Sequence, residues 1–174
     1  MKNKILILCS VLISMLIIVP GVLAETTAIV DGNPTLALSL SVTGTQSFGN
    51  MLSGVNDNTT ASNSVKATVV SNAPWAVTVN DAQIGGTPGH MAEWDGSSYV
   101  AGGKVLNGPL YVGSSVPTLA ALSADQSAPL WTGNAVTTQD NYPYFRQTIV
   151  DGVDTRVGLS HNYRIVTTFT VAAT

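Results

Sequence analysis

The sequence predicts an all-β protein, a single antiparallel β-sandwich of jelly-roll or Ig-like type with about seven to nine strands. Three observations predict it. Apolar and polar residues alternate in residues 35–43, 65–80 and 163–173, the period of an extended chain with one buried face. Glycine and proline punctuate the remaining text, as at Gly85-Gly86, Pro88-Gly89, Gly102-Gly103 and Asp151-Gly152. No helical period is sustained beyond a few turns.

The chain opens on a targeting signal. Lys2 and Lys4 give a positive start, residues 5–19 are an almost unbroken apolar run, and Val22-Leu23-Ala24 offers a small-residue cleavage site. Cleavage is expected after Ala24, so residues 1–24 form a signal peptide. The run is short for a bilayer span of about 20 residues, and no membrane insertion is expected after cleavage. Residues 25–34 (ETTAIVDGNP) lack a clear period and end in turn residues, which makes them an extended N-terminal segment. Residues 35–174 then form the sandwich domain.

Within that domain, Leu36, Leu38, Leu40 and Val42 fall on one face of the first strand, with Ala37, Ser39, Ser41 and Thr43 on the other. Phe48 is expected as an inward plug after it, and residues 50–64 read as a polar connection. Residues 65–80 organise the rest. Val65, Ala67 and Val69 share one side, Trp75, Val77 and Val79 do the same after a break, and Ser71-Asn72-Ala73-Pro74 between them has turn chemistry. Proline cannot donate to a ladder, so Pro74 belongs at the start of the second strand. The product is a hairpin or a strand-to-strand corner with Trp75 filling the core.

Residues 81–103 read as loops or hidden short strands. Residues 105–112, interrupted by Gly108-Pro109, read as an edge strand or two short ones. Residues 119–122 are a short apolar run, and residues 126–140 carry Trp131 in turn-like surroundings. Residues 144–150 read as a strand, with Asp151-Gly152 as a hairpin turn before residues 156–159. Tyr163, Ile165, Thr167, Phe169 and Val171 are in phase along the last strand. The first and last strands are long and regular, and both are expected in the interior of a sheet.

Composition narrows the function classes. Loss of Lys2 and Lys4 leaves five basic against ten acidic side chains, a net charge of −5 with no polybasic run, which speaks against nucleic acid as a partner. Cys9, the one cysteine, leaves with the signal. An exported domain without disulfides must be held by its core, a bound ion or its neighbours. Charged residues are only 10% of the chain, against roughly a quarter in ordinary globular proteins. A surface so rich in Thr, Ser, Asn, Gly and Ala suits a cell-surface or assembly protein.

No catalytic constellation stands out. His90 and Glu93 could share a metal, but zinc needs three or four ligands, and the other histidine, His161, is far along the chain. No G-x-S-x-G nucleophile elbow occurs. Calcium could be held by Asp151 with Asp154, or at Asn56-Asp57-Asn58, although turn chemistry explains both as well. Asn58-Thr59-Thr60 is an N-glycosylation acceptor in an exported chain. Trp94 and Trp131 lie in irregular segments, where flat rings could stack on sugars, which keeps a monomeric carbohydrate- or surface-binding module as the alternative function. Cell-surface glycans would then be the partner.

Phe48-Gly49, Gly54, the stretch 65–79 with Ser71-Asn72 and Trp75, and the alternating Thr-rich C-terminal strand together resemble small secreted β-sandwich modules of archaeal and bacterial envelopes. Those modules are similar in turn to subunits of TasA- and camelysin-type extracellular fibres and of archaeal bundling pili. The resemblance implies a non-enzymatic structural subunit, secreted to the extracellular space or cell surface, whose partners are copies of itself. It also implies that an N-terminal segment of one subunit completes the sheet of the next. Thr26, Thr27, Ala28, Ile29 and Val30 are the donor candidates here, because Asp31, Gly32 and Pro34 interrupt regular pairing beyond them, unless the donor extends into residues 35–43.

Overall fold

Side chains that alternate between apolar and polar leave an extended chain one way to bury its apolar half, and the central stretch takes it. In the computed structural model, which describes residues 32, 34–58, 65–82, 86–125 and 127–174, this stretch forms β3 (Lys66–Ser71) and β4 (Trp75–Asp81). Val65, Ala67, Val69 and Ser71 point inward from the first, and Trp75, Val77, Val79 and Asp81 from the second. The two strands do not pair with each other. The break between them is therefore a corner that carries the chain from one sheet to another.

Twelve short strands, all paired antiparallel, make up four sheets, with one 3-10 turn at Val116–Thr118 and no α-helix among the described residues. The compact unit is Thr35–Thr174. One sheet has the order β1 (Leu38–Thr43), β3, β9 (Val136–Asn141). A second has the order β12 (Thr167–Ala173), β4, β8 (Trp131–Gly133). A third runs β2 (Gly54–Asn58), β10 (Tyr144–Ile149), β6 (Leu110–Gly113), β7 (Ala120–Ala121). A ribbon of β5 (Ala92–Trp94) and β11 (Asn162–Arg164) completes the set.

Two apolar clusters join these sheets. Val69, Trp75 and Val77 pack with Leu38, Leu40, Trp131, Val136, Phe169 and Val171, so the β1-β3-β9 and β12-β4-β8 sheets share one core. Val65, Val79, Leu110, Val112, Leu122 and Phe145 form the other, with Phe48, Leu130, Ile165 and Phe169 against it. Strand β4 feeds both. Phe169 touches both as well.

The corner shows how its sequence works. Ser71 Oγ donates to the Ala73 carbonyl at 2.6 Å and accepts from the Ala73 N–H at 3.1 Å. Asn72 reaches back to the chain before β1: its Nδ2 donates to the Thr35 carbonyl at 2.7 Å, and its Oδ1 accepts from the Ala37 N–H at 2.8 Å. Pro74, which has no N–H to offer, accepts from Thr174 at the chain end through its carbonyl at 3.0 Å.

Several expectations are corrected. The first and last strands are not interior: β1 and β12 are each paired on one side among the described residues. Clean alternation reports one buried face and says nothing about the number of neighbours. Strands are more numerous than the expected seven to nine, in pieces of two to seven residues. The polar connection 50–64 contains β2, and the turn-like 126–140 contains β8 and all but the last residue of β9. Asp151-Gly152 makes a turn but no hairpin, since residues 156–159 form no strand and β10 pairs with β2 and β6. Residues 163–173 divide into β11 and β12 while keeping their phase. The signal peptide and the donor residues Thr26 to Val30 lie outside the described residues.

Candidate functional site

One unfinished side of the molecule is where β1 and β12 meet solvent. β1 leads away from the Ser71–Trp75 corner, Leu38 opposite Ser71 and Thr43 opposite Lys66. β12 leads back towards it, from Thr167 opposite Asp81 to Ala173 opposite Trp75. Inward residues of the neighbouring β3 and β4 are fully buried, yet those of the two edge strands are not. Leu38, Leu40, Phe169 and Val171 are half-buried, Leu36 is 60% exposed and Val42 is 41% exposed. At the end far from the corner the edges border a cleft of about 550 Å³. Val42, Phe48, Val65, Phe145, Ile165 and Phe169 give it an apolar lining, and Gln46, Asn162, Arg164 and Thr167 contribute polar groups. Each square ångström of apolar surface left in water forgoes about 25 cal/mol, so such a seam favours anything that covers it. The edge backbone adds direction, because unpaired N–H and C=O groups of an edge strand accept another strand.

One wall of the cleft is the β5-β11 ribbon, fastened by polar contacts. His161 Nδ1 lies 2.6 Å from Glu93 Oε1, and the Lys104 N–H donates to Glu93 Oε2 at 2.9 Å. The Lys104 N–H first, and His161 second, hold the Glu93 carboxyl below the usual carboxylate range. Lys104 Nζ donates to the Arg156 carbonyl at 2.6 Å, and the Tyr163 hydroxyl donates to the Thr155 carbonyl at 2.6 Å. Burial pushes the Tyr163 hydroxyl up. The Arg164 guanidinium sits 4.3 Å from the Trp94 ring centre, and Tyr99 meets the same indole edge-on at 5.1 Å.

The other residues singled out by sequence fall as follows. Trp131 stacks on Phe169 at 6.2 Å and packs against the core. Trp94 has Arg164 over one face, so neither indole is a bare platform for a sugar. Asn58 ends β2, and Thr59 and Thr60 lie outside the described residues. His90 and Glu93 do not converge: His90 Nδ1 lies 2.7 Å from the Leu106 carbonyl, while Glu93 turns to His161. Asp154 accepts from Asn107 N–H and Val150 N–H, each at 2.7 Å. Asp57 takes a two-pronged bond from Arg146 at 2.6 and 2.8 Å, which holds its carboxyl below the usual range. Asn56 clamps the loop before β2 through Leu52. No group of three or more His, Cys, Asp or Glu among the described residues is placed to hold a metal ion.

Sequence reasoning missed the Glu93–His161 pair and the open seam. The pair is 68 residues apart, and only the β5-β11 register, with Glu93 opposite Tyr163, brings it together. The unbroken Leu36-Leu38-Leu40-Val42 stripe marks an apolar face, but the same stripe fits an interior strand as well as an open edge. No protein-family model matches this chain, and no curated protein is similar to it. No helix among the described residues is long and apolar enough to cross a membrane.

Proposed function

We propose that this is an exported, non-enzymatic structural subunit of an extracellular filament, pilus, sheath or surface matrix, joined copy to copy by strand donation. The observation that supports it most directly is the open seam: two edge strands whose inward apolar residues remain in partial contact with water. In this reading the facing sheets form one antiparallel sandwich left unfinished on one side. After cleavage at Ala24, residues Thr26 to Val30 of a neighbouring copy supply the missing strand. Its backbone satisfies an open edge, and alternate side chains enter the apolar cleft. A head-to-tail contact of this kind does not close on itself, so it propagates into a filament. The low charge of the chain supports the same reading, because a buried lateral surface tolerates few charges.

Negative-stain microscopy with light scattering on the mature chain, residues 25–174, tests it. Ordered fibres are expected, and deletion of residues 26–30 is expected to leave a folded monomer that forms none. Fibres that persist after the deletion overturn the donor role. A stable monomer of the mature chain at high concentration overturns self-assembly.

A further inference from the structure

We infer that Asn107 is a site of spontaneous deamidation, passing through a cyclic imide to an aspartyl or isoaspartyl residue. Asn107-Gly108 is the one Asn-Gly pair in the chain. The reaction needs the Gly108 nitrogen to reach Cγ of Asn107, and glycine brings no Cβ to obstruct the approach. Both reacting groups are free. Asn107 is exposed in a bend, and neither its side-chain amide nor the Gly108 N–H has a hydrogen bond among the described residues. Asn56, Asn72 and Asn141 differ on both counts: their amides are engaged, and Asp57, Ala73 and Tyr142 follow them.

The step balances without an oxidant. The Gly108 nitrogen gives up its proton and bonds to Cγ, the Cγ–Nδ2 bond breaks, and ammonia leaves. Water then opens the imide at either carbonyl, so one water is consumed for each ammonia released.

The loop is pinned on both sides of the reacting bond, which gives the change a consequence. The Asn107 N–H donates to Asp154 Oδ1 at 2.7 Å, and the Gly108 carbonyl accepts from Gln147 Nε2 at 3.0 Å. Deamidation sets a new carboxylate near Asp154. The isoaspartyl product also lengthens the backbone between the two anchors. Gln147 is fully buried and its Oε1 already lacks a partner among the described residues, so it tolerates little further loss.

Folded mature protein incubated at mildly alkaline pH, then digested and mapped by mass spectrometry that separates aspartyl from isoaspartyl peptides, tests the inference. The peptide with Asn107 is expected to gain the deamidation mass and split into two forms before any other asparagine peptide changes. Gly108→Ala is the control: a Cβ there meets the Thr148 carbonyl at 3.6 Å and Gln147 Nε2 at 3.9 Å, ordinary contacts, so the fold survives. Loss of conversion in that variant is expected. An unchanged Asn107 in the folded protein, conversion only after unfolding, or conversion that persists in Gly108→Ala each overturns the inference.

Discussion

Gly133→Ala is the sharpest test of the packing described here. Trp75 is fully buried at the start of β4, and its Nε1 donates to the Asn134 carbonyl at 2.9 Å. Gly133 pairs with Trp75 across β8 and β4, and its missing side chain is what lets the indole lie flat there. A Cβ at Gly133 would stand 2.5 Å from Trp75 Cζ2, 2.6 Å from Cε2 and 3.0 Å from Nε1. The indole must move. Overpacking of this kind costs about 1–3 kcal/mol, and a displaced hydrogen bond adds about 1 kcal/mol. For a domain of this size, a loss of about 2–4 kcal/mol lowers Tm by roughly 6–15 °C. Thermal unfolding followed by circular dichroism reads the shift. Trp75→Phe removes the very atoms the methyl strikes, so in the double variant the two losses should sum to less than their parts, by about 1 kcal/mol or more. Strict additivity, or a Gly133→Ala protein as stable as the parent, would refute the contact.

Other outcomes follow from the same geometry. Gly89→Ala should be among the most damaging small substitutions, by about 2–5 kcal/mol in denaturant unfolding, because Gly89 has φ +78° and a Cβ there strikes the Leu122 carbonyl. Asp57 has its folded-state pKa lowered, chiefly by hydrogen bonds from Arg146, so its stabilisation is complete above the unfolded Asp value and is lost as pH falls through the folded one. Asp57→Asn should therefore flatten the fall in Tm below about pH 4, and an unchanged acid limb would exclude the pair as its source. Val42→Lys places a charge on the exposed end of the β1 stripe and should leave Tm nearly unchanged while blocking polymerisation in light scattering. Truncation after Val166, which removes β12, should abolish cooperative unfolding altogether.

What the sequence made legible was the part governed by local period. The inward sets of β3 and β4 could be read directly, because each alternate residue is β-branched, small or aromatic. The turn at Ser71-Asn72 could be read for the same reason. Pairing could not. That β4 lies between β12 and β8 depends on side chains more than fifty residues away, and β8 is three residues long with Gly133 in it. The strand β2, GVNDN, has little β-propensity of its own and is held by Arg146 and by Asn56 reaching across to β10. The candidate site suffered most. An open seam is a statement about missing neighbours, and no single-strand pattern carries it.

Which strand a copy could give away follows from where the two cores overlap. Phe169 on β12 belongs to both clusters, and Thr174 beyond it is tied to the Pro74 carbonyl. Pulling β12 out would open both cores at once. β1 is bound less deeply, but the Asn72 side chain fixes the chain at Thr35 and Ala37, just ahead of it. Both edge strands are thus committed to their own subunit. If a strand is exchanged between copies, neither β1 nor β12 can leave without disturbing contacts within its own subunit. The same logic sets the energetic scale of assembly. In the proposed assembly, the surface to be covered would be the half-exposed row from Leu36 to Val42 and its counterpart on β12, a few side chains at about 1.5–3 kcal/mol each when fully buried. Part of that is offset by ordering the donor, at about 1–2 kcal/mol per residue. In the proposed assembly the apolar contacts of a five-residue donor are thus largely offset by its ordering, and the backbone ladder it forms along the open edge would supply the remaining attraction.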